Sequence, residues 1–322
     1  MRYPTFFVLI LNWNGKKDTL ECLASLVKIS SPRFQTLLID NASTDDSVAA
    51  IRKQYPNIPI LENRENLGYA AGNNAGIEWA LSKGAEWILL LNNDTVVDPH
   101  CFEGFLEATR KEPEGKIFGA KIYSYHEPRV IDALGSGWDS SLCEMRHLKQ
   151  GLQEDDHSYE TMERVDAVSG AALLMHRSVP ETIGLLEPRF FLFWEETDFC
   201  MRAARKGFPI WTAPQAKVWH KVGASFIGGK PHTHYFFWRS YLLFLERNEL
   251  FAKRRHTHRT IVLPKILKAA RHYLLHSLRS LWTQKELNRQ KAARNKAALL
   301  GVWHYATGRF GDCPTSLKKS RS

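Results

Sequence analysis

The sequence predicts an α/β protein, in which a mostly parallel sheet is flanked by helices and a basic, helical region follows at the C-terminus. Apolar runs alternate with helical stretches over residues 5–112, which is the pattern of βαβ units. The predicted strands are continuously apolar, as expected where a parallel sheet is covered on both faces. From Phe251 onward the chain holds 17 Lys and Arg against 2 Asp and Glu, so its character changes there.

Each predicted element rests on its local pattern. Apolar runs indicate strands at 5–12, 34–40, 58–63, 86–92 and 168–176, and two short strands in FPIWT (208–212) and AKVWH (216–220). Helices are expected at 16–28, 43–55, 69–84, 98–112 and 193–207. The second helix is predicted to be capped by Ser43 or Thr44, and the fourth to be opened by Asp98 and Pro99. Residues 113–165 are irregular and polar, and we expect loops and short strands there.

The composition indicates a folded globular chain. Its 322 residues are 44% hydrophobic and 24% charged, which argues against wholesale disorder and allows one large domain or two smaller ones. The five cysteines lack CxxC spacing, so we expect a reducing compartment and neither a disulfide framework nor a structural zinc site. The apolar run near the N-terminus lacks a cleavage site and is interpreted as a first strand. No window reaches the ~20 apolar residues of a transmembrane helix.

The uneven charge predicts two regions, residues 1–250 and 251–322. The net charge is +10, although residues 1–250 hold 27 Lys and Arg against 32 Asp and Glu. Within the basic region, residues 260–282 predict an amphipathic helix with apolar and basic faces. Such a helix is typical of proteins that bind an anionic membrane surface. Trp282, Trp303 and Tyr305 among the charges also allow nucleic-acid binding, but the continuous apolar face favours the membrane.

Polar residues end nearly every predicted strand of the first half. Asn and Asp favour turns, which explains some of these positions. Parallel strands also bring their carboxyl ends to one edge of a sheet, where ligands bind. We therefore expect a ligand site lined by the polar residues at these ends, namely Asn12, Asn14, Asp40, Asn41, Asn63, Asn66, Asn92 and Asp94.

The stretch LLLNNDTVV (89–97) allows two interpretations of Asp94. The residue either belongs to a turn or holds a divalent cation. One carboxylate suffices for Mg²⁺ when water and substrate oxygens complete its coordination shell. His220, at the end of AKVWH, is likewise either a structural histidine or a second ligand.

The stretch WEETD (194–198) offers three carboxylates at the start of a helix: Glu195, Glu196 and Asp198. They either compensate the helix dipole or include a general base. The aromatic residues before them favour the second interpretation, because apolar surroundings raise the pKa of a carboxyl group. The glycine-rich stretch 65–76 lacks P-loop spacing, and no GxSxG nucleophile motif is present.

Seven of these stretches occur in the order found in one enzyme family. The chain resembles the inverting glycosyltransferases of family 2, and especially their rhamnosyltransferase-like branch. The resemblance implies the A-type glycosyltransferase fold, a Rossmann-like, mostly parallel sheet flanked by helices. The stretches that carry it are VLILNWNG (8–15), LLIDNASTDDSV (37–48), ENLGYAAGNNAGI (65–77), LLLNNDTVVDP (89–99), VSGAALLMHRS (168–178), FFLFWEETDFCMRAARKG (190–207) and VWH (218–220).

The resemblance implies a role for each matching position. Asp94 and His220 would hold Mg²⁺ or Mn²⁺, and Glu196, or else Glu195 or Asp198, would be the catalytic base. Two departures affect these assignments, because Asn92 replaces the first acid of the family's DxD motif and Glu196 replaces the usual aspartate. The nucleotide-sugar donor would be bound by Asn12, Asn14, Asp40, Asn41, Asn66, Gly68, Asn73, Asn92, Asn93 and Gly170.

The implied function is transfer of a sugar, with inversion at the anomeric carbon, in cell-surface polysaccharide synthesis. The expected donor is a nucleotide-diphosphate sugar, dTDP-rhamnose first among them, and the expected acceptor is lipid-linked or a polysaccharide. The expected location is cytoplasmic, peripheral at the inner face of the cytoplasmic membrane, with no nucleic-acid partner. The alternative is a non-catalytic module that binds nucleotide sugars or polysaccharides on a degenerate transferase scaffold.

Overall fold

A computed structural model of the protein describes residues 5–29, 34–154, 159–221, 230–248, 262–283 and 286–318. The chain divides into two compact units. The first comprises Met1–Leu186 and Phe199–Val222, and the second Glu187–Asp198 and Gly223–Ser322. The boundary predicted between residues 250 and 251 lies outside the described residues.

The first unit is built on a mixed sheet and a separate hairpin. The strands are β1 (Phe6–Asn12), β2 (Phe34–Asp40), β3 (Ile60–Glu62), β4 (Trp87–Asn92), β5 (Thr95–Val97), β6 (Ile117–Ser124), β7 (Ile131–Ala133), β8 (Ser136–Asp139), β9 (Glu144–His147), β10 (Arg164–Val165), β11 (Ala172–His176) and β12 (Ile210–His220). The sheet has ten strands in the order β10-β12-β6-β11-β4-β1-β2-β3, in which β5 also pairs with β12 and β7 with β6. The hairpin joins β8 and β9.

Helices cover the sheet of the first unit. They are α1 (Lys16–Leu26), α2 (Ser47–Gln54), α3 (Gly68–Ser82), α4 (Cys101–Lys111), α5 (Ser178–Ile183) and the part of α6 (Glu195–Arg205) that follows Asp198. Strands β3, β2, β1 and β4 run parallel, as do β6 and β12, whereas β11 is antiparallel to both of its neighbours. The predicted α/β class, with a central sheet flanked by helices, is therefore confirmed, and the sheet is mixed.

The central strands are buried on both faces. In β1, Phe6, Val8 and Ile10 belong to one apolar core, whereas Phe7 and Leu9 belong to the core on the opposite face. This alternation follows from the two-residue period of a strand. The parallel register places Asn12 beside Asp40, and Leu11 beside Asn92. The polar ends of β1, β2 and β4 consequently meet at one edge of the sheet.

Strand β6 is the main element that the sequence pattern did not reveal, since only loops and short strands were expected there. Two residues hide its pattern. Lys121 is fully buried, with its Nζ 2.7 Å from Glu154 Oε1, so the ion pair compensates its charge. Gly119 faces Val168 so closely that a Cβ at this position would lie 2.4 Å from the Cβ of Val168. The two short strands predicted at 208–220 are one strand, β12, with an irregularity between Ala213 and Lys217.

Two helix starts also differ from the prediction. Helix α2 begins at Ser47, so neither Ser43 nor Thr44 caps it. Ser43 instead hydrogen-bonds the carboxylate of Asp40, which follows from its position just beyond β2. Helix α4 begins at Cys101, and Asp98 accepts a hydrogen bond from the backbone of His100 before the helix starts.

The second unit is mainly helical, which confirms the predicted helical extension. Its helices are α7 (Pro231–Arg247), α8 (Leu263–Thr283), α9 (Glu286–Ala306) and α10 (Thr315–Lys318), together with a short 3₁₀ turn at Pro188–Phe190 and the first turn of α6. Helices α7 and α9 approach closely at Gly301, where a Cβ would lie 2.3 Å from the carbonyl oxygen of Tyr235. Within the described ranges, no helix combines the length and apolar character needed to cross a membrane.

Candidate active site

The carboxyl ends of β1 and β2 are joined by a buried hydrogen-bond network. Asn12 Nδ2 donates to Asp40 Oδ1 at 2.8 Å and to Ser43 Oγ at 3.0 Å. Asn12 Oδ1 accepts from Thr19 Oγ1 at 2.8 Å and from the backbone of Gly15. Every polar atom of the Asn12 side chain is therefore engaged, and this fixes the loop after β1.

A second amide organises the neighbouring loop before α3. Asn41 Nδ2 donates to Asn66 Oδ1 at 2.9 Å and to the carbonyl oxygen of Gly68 at 3.0 Å. Its Oδ1 accepts from Asn63 Nδ2 and from the backbone of Leu67. The backbone N–H of Asn41 also donates to the carbonyl oxygen of Asn12. Asn41 thus brings together Gly68 and three other predicted strand-end residues, Asn12, Asn63 and Asn66.

Asn14, Asn73 and Gly170, which are also predicted to bind the nucleotide-sugar donor, make hydrogen bonds to nearby residues. Asn14 has a left-handed φ of 51° and its Oδ1 accepts from the backbone of Thr44. Asn73 Nδ2 donates to the carbonyl oxygen of Tyr69, one turn earlier in α3. The hydroxyl of Tyr69 in turn donates to the carbonyl oxygen of Gly170 at 2.7 Å. Asn14, Asn73 and Gly170 are therefore each held by at least one hydrogen bond.

Asp94 and His220 are brought together although 126 positions separate them. Strand β12 pairs with β5, which sets His220 opposite Thr95. As a result, His220 Nε2 lies 3.1 Å from Asp94 Oδ1 and 3.4 Å from Asn92 Nδ2. Nε2 serves one of these neighbours at a time, donating to Asp94 when protonated or accepting from Asn92 when deprotonated.

The pair suits a divalent cation that also binds a substrate. A carboxylate oxygen and an imidazole nitrogen are both ligands of Mn²⁺, and Mg²⁺ accepts the carboxylate. Each of the two side chains keeps 17% of its surface exposed, so a ligand can reach them. Among the described residues, no group of three or more His, Cys, Asp or Glu side chains could hold a metal by itself. A cation here would therefore need ligands from substrate or water.

Helix α1 anchors the metal-binding candidates through residues that the sequence analysis did not single out. Lys221, which follows His220, donates from Nζ to Asp18 Oδ1 and Glu21 Oε2, both at 2.6 Å. Its backbone N–H donates to the carbonyl oxygen of Asp94 at 3.0 Å. These contacts tie the end of β12 to the loop after β4.

Thr19 and Ser43 were missed as well. Thr19 Oγ1 accepts from Asn93 Nδ2 at 2.9 Å while donating to Asn12, and so links the ends of β1 and β4. The sequence signal for Thr19 was its hydroxyl group in the first turn of α1, the helix that follows the polar end of β1. Ser43 carried a signal that was misinterpreted as a helix cap.

In the second unit, α6 begins with two carboxylates in a low-polarity environment. Glu195 is buried, and its Oε2 has no hydrogen-bond partner among the residues that the structure describes. Burial, followed by the negative charge of Glu196, raises the pKa of Glu195 well above its usual range. Burial also raises the pKa of Glu196, which is partly exposed, but hydrogen bonds to its carboxylate oppose the rise. Both carboxyl groups therefore favour the protonated form more than an exposed glutamate does, and Glu195 does so more strongly than Glu196.

Asp198 is held differently, although it lies in the same helical turn. It is fully buried, and Arg247 Nε and Asn248 Nδ2 donate to its Oδ1 at 3.1 and 3.0 Å. Arg247 also donates from Nη1 to Glu187 at 2.6 Å. Such contacts occupy the carboxylate of Asp198 and favour a structural role for it over proton transfer.

Comparison with known proteins identifies the family. The profile of the family described as "Glycosyl transferase family 2" matches residues 7–168, half of the chain. The N-acetylglucosaminyl-diphospho-decaprenol L-rhamnosyltransferase of Mycobacterium tuberculosis is 26% identical over 234 residues, which cover 66% of this chain and 74% of the relative. The dTDP-rhamnosyl transferase RfbF of Shigella flexneri is 21% identical over 225 residues, which cover 67% and 69%.

Solved structures share the fold. The mannosyltransferase PcManGT from Pyrobaculum calidifontis, solved with GDP-Man and Mn²⁺, aligns with a TM-score of 0.58 at 12% identity and covers 96% of this chain and 88% of its own. Staphylococcus aureus TarS, residues 1–349, aligns with a TM-score of 0.51 at 14% identity and covers 94% and 92%. These similarities confirm the predicted A-type glycosyltransferase fold, and the transferase relatives favour an enzyme over a non-catalytic binding module. The chain is therefore a glycosyltransferase, a member of glycosyl transferase family 2 with rhamnosyltransferase-like relatives.

Proposed function

We propose that the protein transfers rhamnose from dTDP-rhamnose to a lipid-linked or glycan acceptor during cell-surface polysaccharide synthesis. The observation that carries this proposal is the contact between Asp94 and His220 beside the polar network at the sheet edge. That arrangement suits a metal-bound diphosphate next to a nucleoside pocket. The relatives named as rhamnosyltransferases support the choice of sugar, and the M. tuberculosis relative's name specifies a lipid-linked N-acetylglucosamine acceptor.

The donor is held at the carboxyl edge of the sheet. Asn12, Asp40 and Asn41 border the nucleoside, while Asp94 and His220 hold Mg²⁺ or Mn²⁺. When bound, the cation neutralises negative charge on the leaving diphosphate. The anchoring of His220 and Asp94 through Lys221 keeps these two side chains in one geometry before substrate arrives.

Glu196 acts as the base in a single displacement. Its carboxylate takes the proton of the acceptor hydroxyl as that oxygen bonds to the anomeric carbon. The bond from this carbon to the diphosphate oxygen breaks, and the nucleoside diphosphate leaves with the electron pair. Attack from the face opposite to the leaving group inverts the anomeric carbon, and no covalent enzyme intermediate forms.

A donor screen by thermal shift tests the proposed donor. We expect dTDP-rhamnose with Mn²⁺ to raise the unfolding temperature, because a ligand that binds only the folded state stabilises it. A ligand at about 100 times its Kd adds roughly 2.7 kcal/mol. UDP- and GDP-sugars serve as matched donors, and dTDP-rhamnose without cation is the control. A larger shift with a UDP- or GDP-sugar would replace the proposed donor.

The second unit carries the proposed membrane contact. On α8, the side chains of Leu263, Leu267, Leu274 and Leu278 are 39%, 58%, 60% and 56% exposed. Their spacing of four, seven and four residues places them in one row along the helix. Exposed basic side chains extend from this row around the helix: Lys268, Arg271, His272 and Arg279. The side chain of Trp282, predicted at the helix end, lies outside the described residues.

Vesicle flotation tests the membrane contact. We expect the protein to float with phosphatidylglycerol vesicles and to float poorly with neutral vesicles, because the basic residues attract anionic lipid. The variant Leu267→Gln/Leu274→Gln should partition at least about ten-fold less, since each buried leucine contributes roughly 1.5–3 kcal/mol. Leu142→Gln, at a 43% exposed leucine of the first unit, is the matched control. Equal flotation of all three proteins, or a DNA mobility shift in place of flotation, would contradict the proposal.

A further inference from the structure

The loop before the paired carboxylates has an unusual backbone. Phe191, Phe193 and Trp194 adopt left-handed φ angles of 62°, 69° and 72°. Bulky residues rarely adopt this conformation, because the side chain crowds the following carbonyl group. Strain of this kind is retained where surrounding contacts enforce it, and it concentrates at functional sites. The strain here fixes the direction of the Trp194 ring directly before Glu195.

The ring of Trp194 rests on one face of α7. Its centroid lies 4.8 Å from that of Phe244, 5.3 Å from Tyr241 and 5.8 Å from Phe237. These three α7 residues are four and three positions apart, so they share one side of the helix. Phe237 and Tyr241 also stack, with centroids 6.2 Å apart and planes at 10°. The four rings form one continuous aromatic cluster within the second unit.

Two rings of the cluster are buried, and the other two are exposed to solvent in part. Tyr241 is 3% exposed and Phe244 is fully buried, so both pack as core residues do. Phe237 is 42% exposed, and Trp194 is partly exposed. Trp194 is joined to Glu196 through a single intervening residue, so their Cα atoms are no more than about 7 Å apart. A partly exposed aromatic surface therefore begins two residues before the glutamate that is proposed to receive the acceptor's proton.

We propose that Trp194 and Phe237 form a platform on which the sugar ring of the acceptor stacks. A pyranose has one face of C–H bonds, whose hydrogens carry slight positive charge and match the negative face of an aromatic ring. Its rim carries hydroxyl groups, which match the neighbouring carboxylates. A purely aliphatic ligand would match the rings but would desolvate Glu196 without offering it a hydrogen bond. This inference rests on the proposed role of Glu196.

Steady-state kinetics of Phe237→Leu tests the platform. With methyl N-acetylglucosaminide and N-acetylglucosaminyl-diphospho-decaprenol as acceptor probes, we expect the KM for both probes to rise about five- to ten-fold, which is the size of one stacking contact. The KM for dTDP-rhamnose should stay within two-fold, and Phe237→Tyr should restore the acceptor KM. Phe237 is exposed, so these changes leave the core intact. Trp303→Leu, at a 60% exposed aromatic residue of the same unit, is the matched control.

Saturation-transfer NMR with methyl N-acetylglucosaminide gives a readout that does not depend on transfer. Signals from the C–H hydrogens of one sugar face are expected for the wild type and for Trp194→Phe, and weaker signals for Phe237→Leu. Unchanged acceptor KM values in an active Phe237→Leu enzyme would overturn the platform and leave the proposed function standing. A rise in KM for the decaprenol probe alone would overturn the platform and would indicate that Phe237 contacts the lipid. Absence of transfer by the wild type from every donor would instead refute the proposed function.

Discussion

Replacing Asp94 by alanine is expected to lower sugar transfer at least about 100-fold while the protein stays folded. The carboxylate of Asp94 contacts His220, and its loss removes the oxygen ligand of the proposed cation. Charge stabilisation by such a cation is worth several kcal/mol at the transition state, which corresponds to a factor of 100 or more. The folded state loses one hydrogen bond between side chains that are each 17% exposed, which costs about 1–3 kcal/mol.

Two measurements and one control variant test this result. Initial rates across a Mn²⁺ titration should show that added metal does not rescue Asp94→Ala, and circular dichroism should show a native fold. Asp98→Ala is the matched control, because Asp98 lies four residues later and its side chain contacts the backbone of His100. This control is expected to keep wild-type metal dependence. Full activity of Asp94→Ala at wild-type Mn²⁺ concentrations would exclude the proposed metal site.

The polar strand ends could be predicted because their environment is repetitive. Strands β1 and β4 are continuously apolar until they end in Asn12 and Asn92, and β2 is apolar from Leu37 to Ile39 before it ends in Asp40. Parallel registration alone brings these ends together. No such regularity marks Thr19 or Lys221. Their roles arise from the packing of α1 against the loop after β4 and the end of β12, which depends on contacts distant in sequence.

Charged residues inside the sheet set a different limit. Lys121 makes β6 look like a surface segment until its partner Glu154 is known, and that partner lies 33 positions away. The same holds for WEETD, where three acids look alike in the sequence. Their partners separate them, since Asp198 is held by Arg247, whereas Glu195 has an oxygen that no described residue hydrogen-bonds.

Glu196→Gln is the second large effect, and we expect it to lower kcat about 10²–10⁴-fold with little change in donor KM. Glutamine keeps the size and hydrogen-bonding capacity of the side chain but cannot accept a proton, and general base catalysis contributes a factor of this size. Glu195→Gln is the matched control. Burial raises the pKa of Glu195 more strongly than that of Glu196, so a neutral glutamine resembles its protonated form and should cost only a few-fold. Equal losses in the two variants, or none in Glu196→Gln, would refute the assignment of Glu196.

Glu196→Gln is expected to lower activity but to raise the stability of the folded state at neutral pH. The pH dependence of the stability gain identifies its cause. The folded state raises the pKa of Glu196, so ionisation above the ordinary glutamate pKa favours the unfolded chain. The contribution of Glu196 to wild-type stability should therefore fall as pH rises from the ordinary glutamate pKa through the raised folded value. Glu196→Gln escapes this penalty, so its urea midpoint should exceed that of the wild type at neutral pH and match it at about pH 3, below both pKa values. A stability gain of equal size at both pH values would mean that packing, and not ionisation, distinguishes glutamate from glutamine at this position. In that case the acidic limb of the kcat/KM profile should follow the usual glutamate pKa and not a higher one.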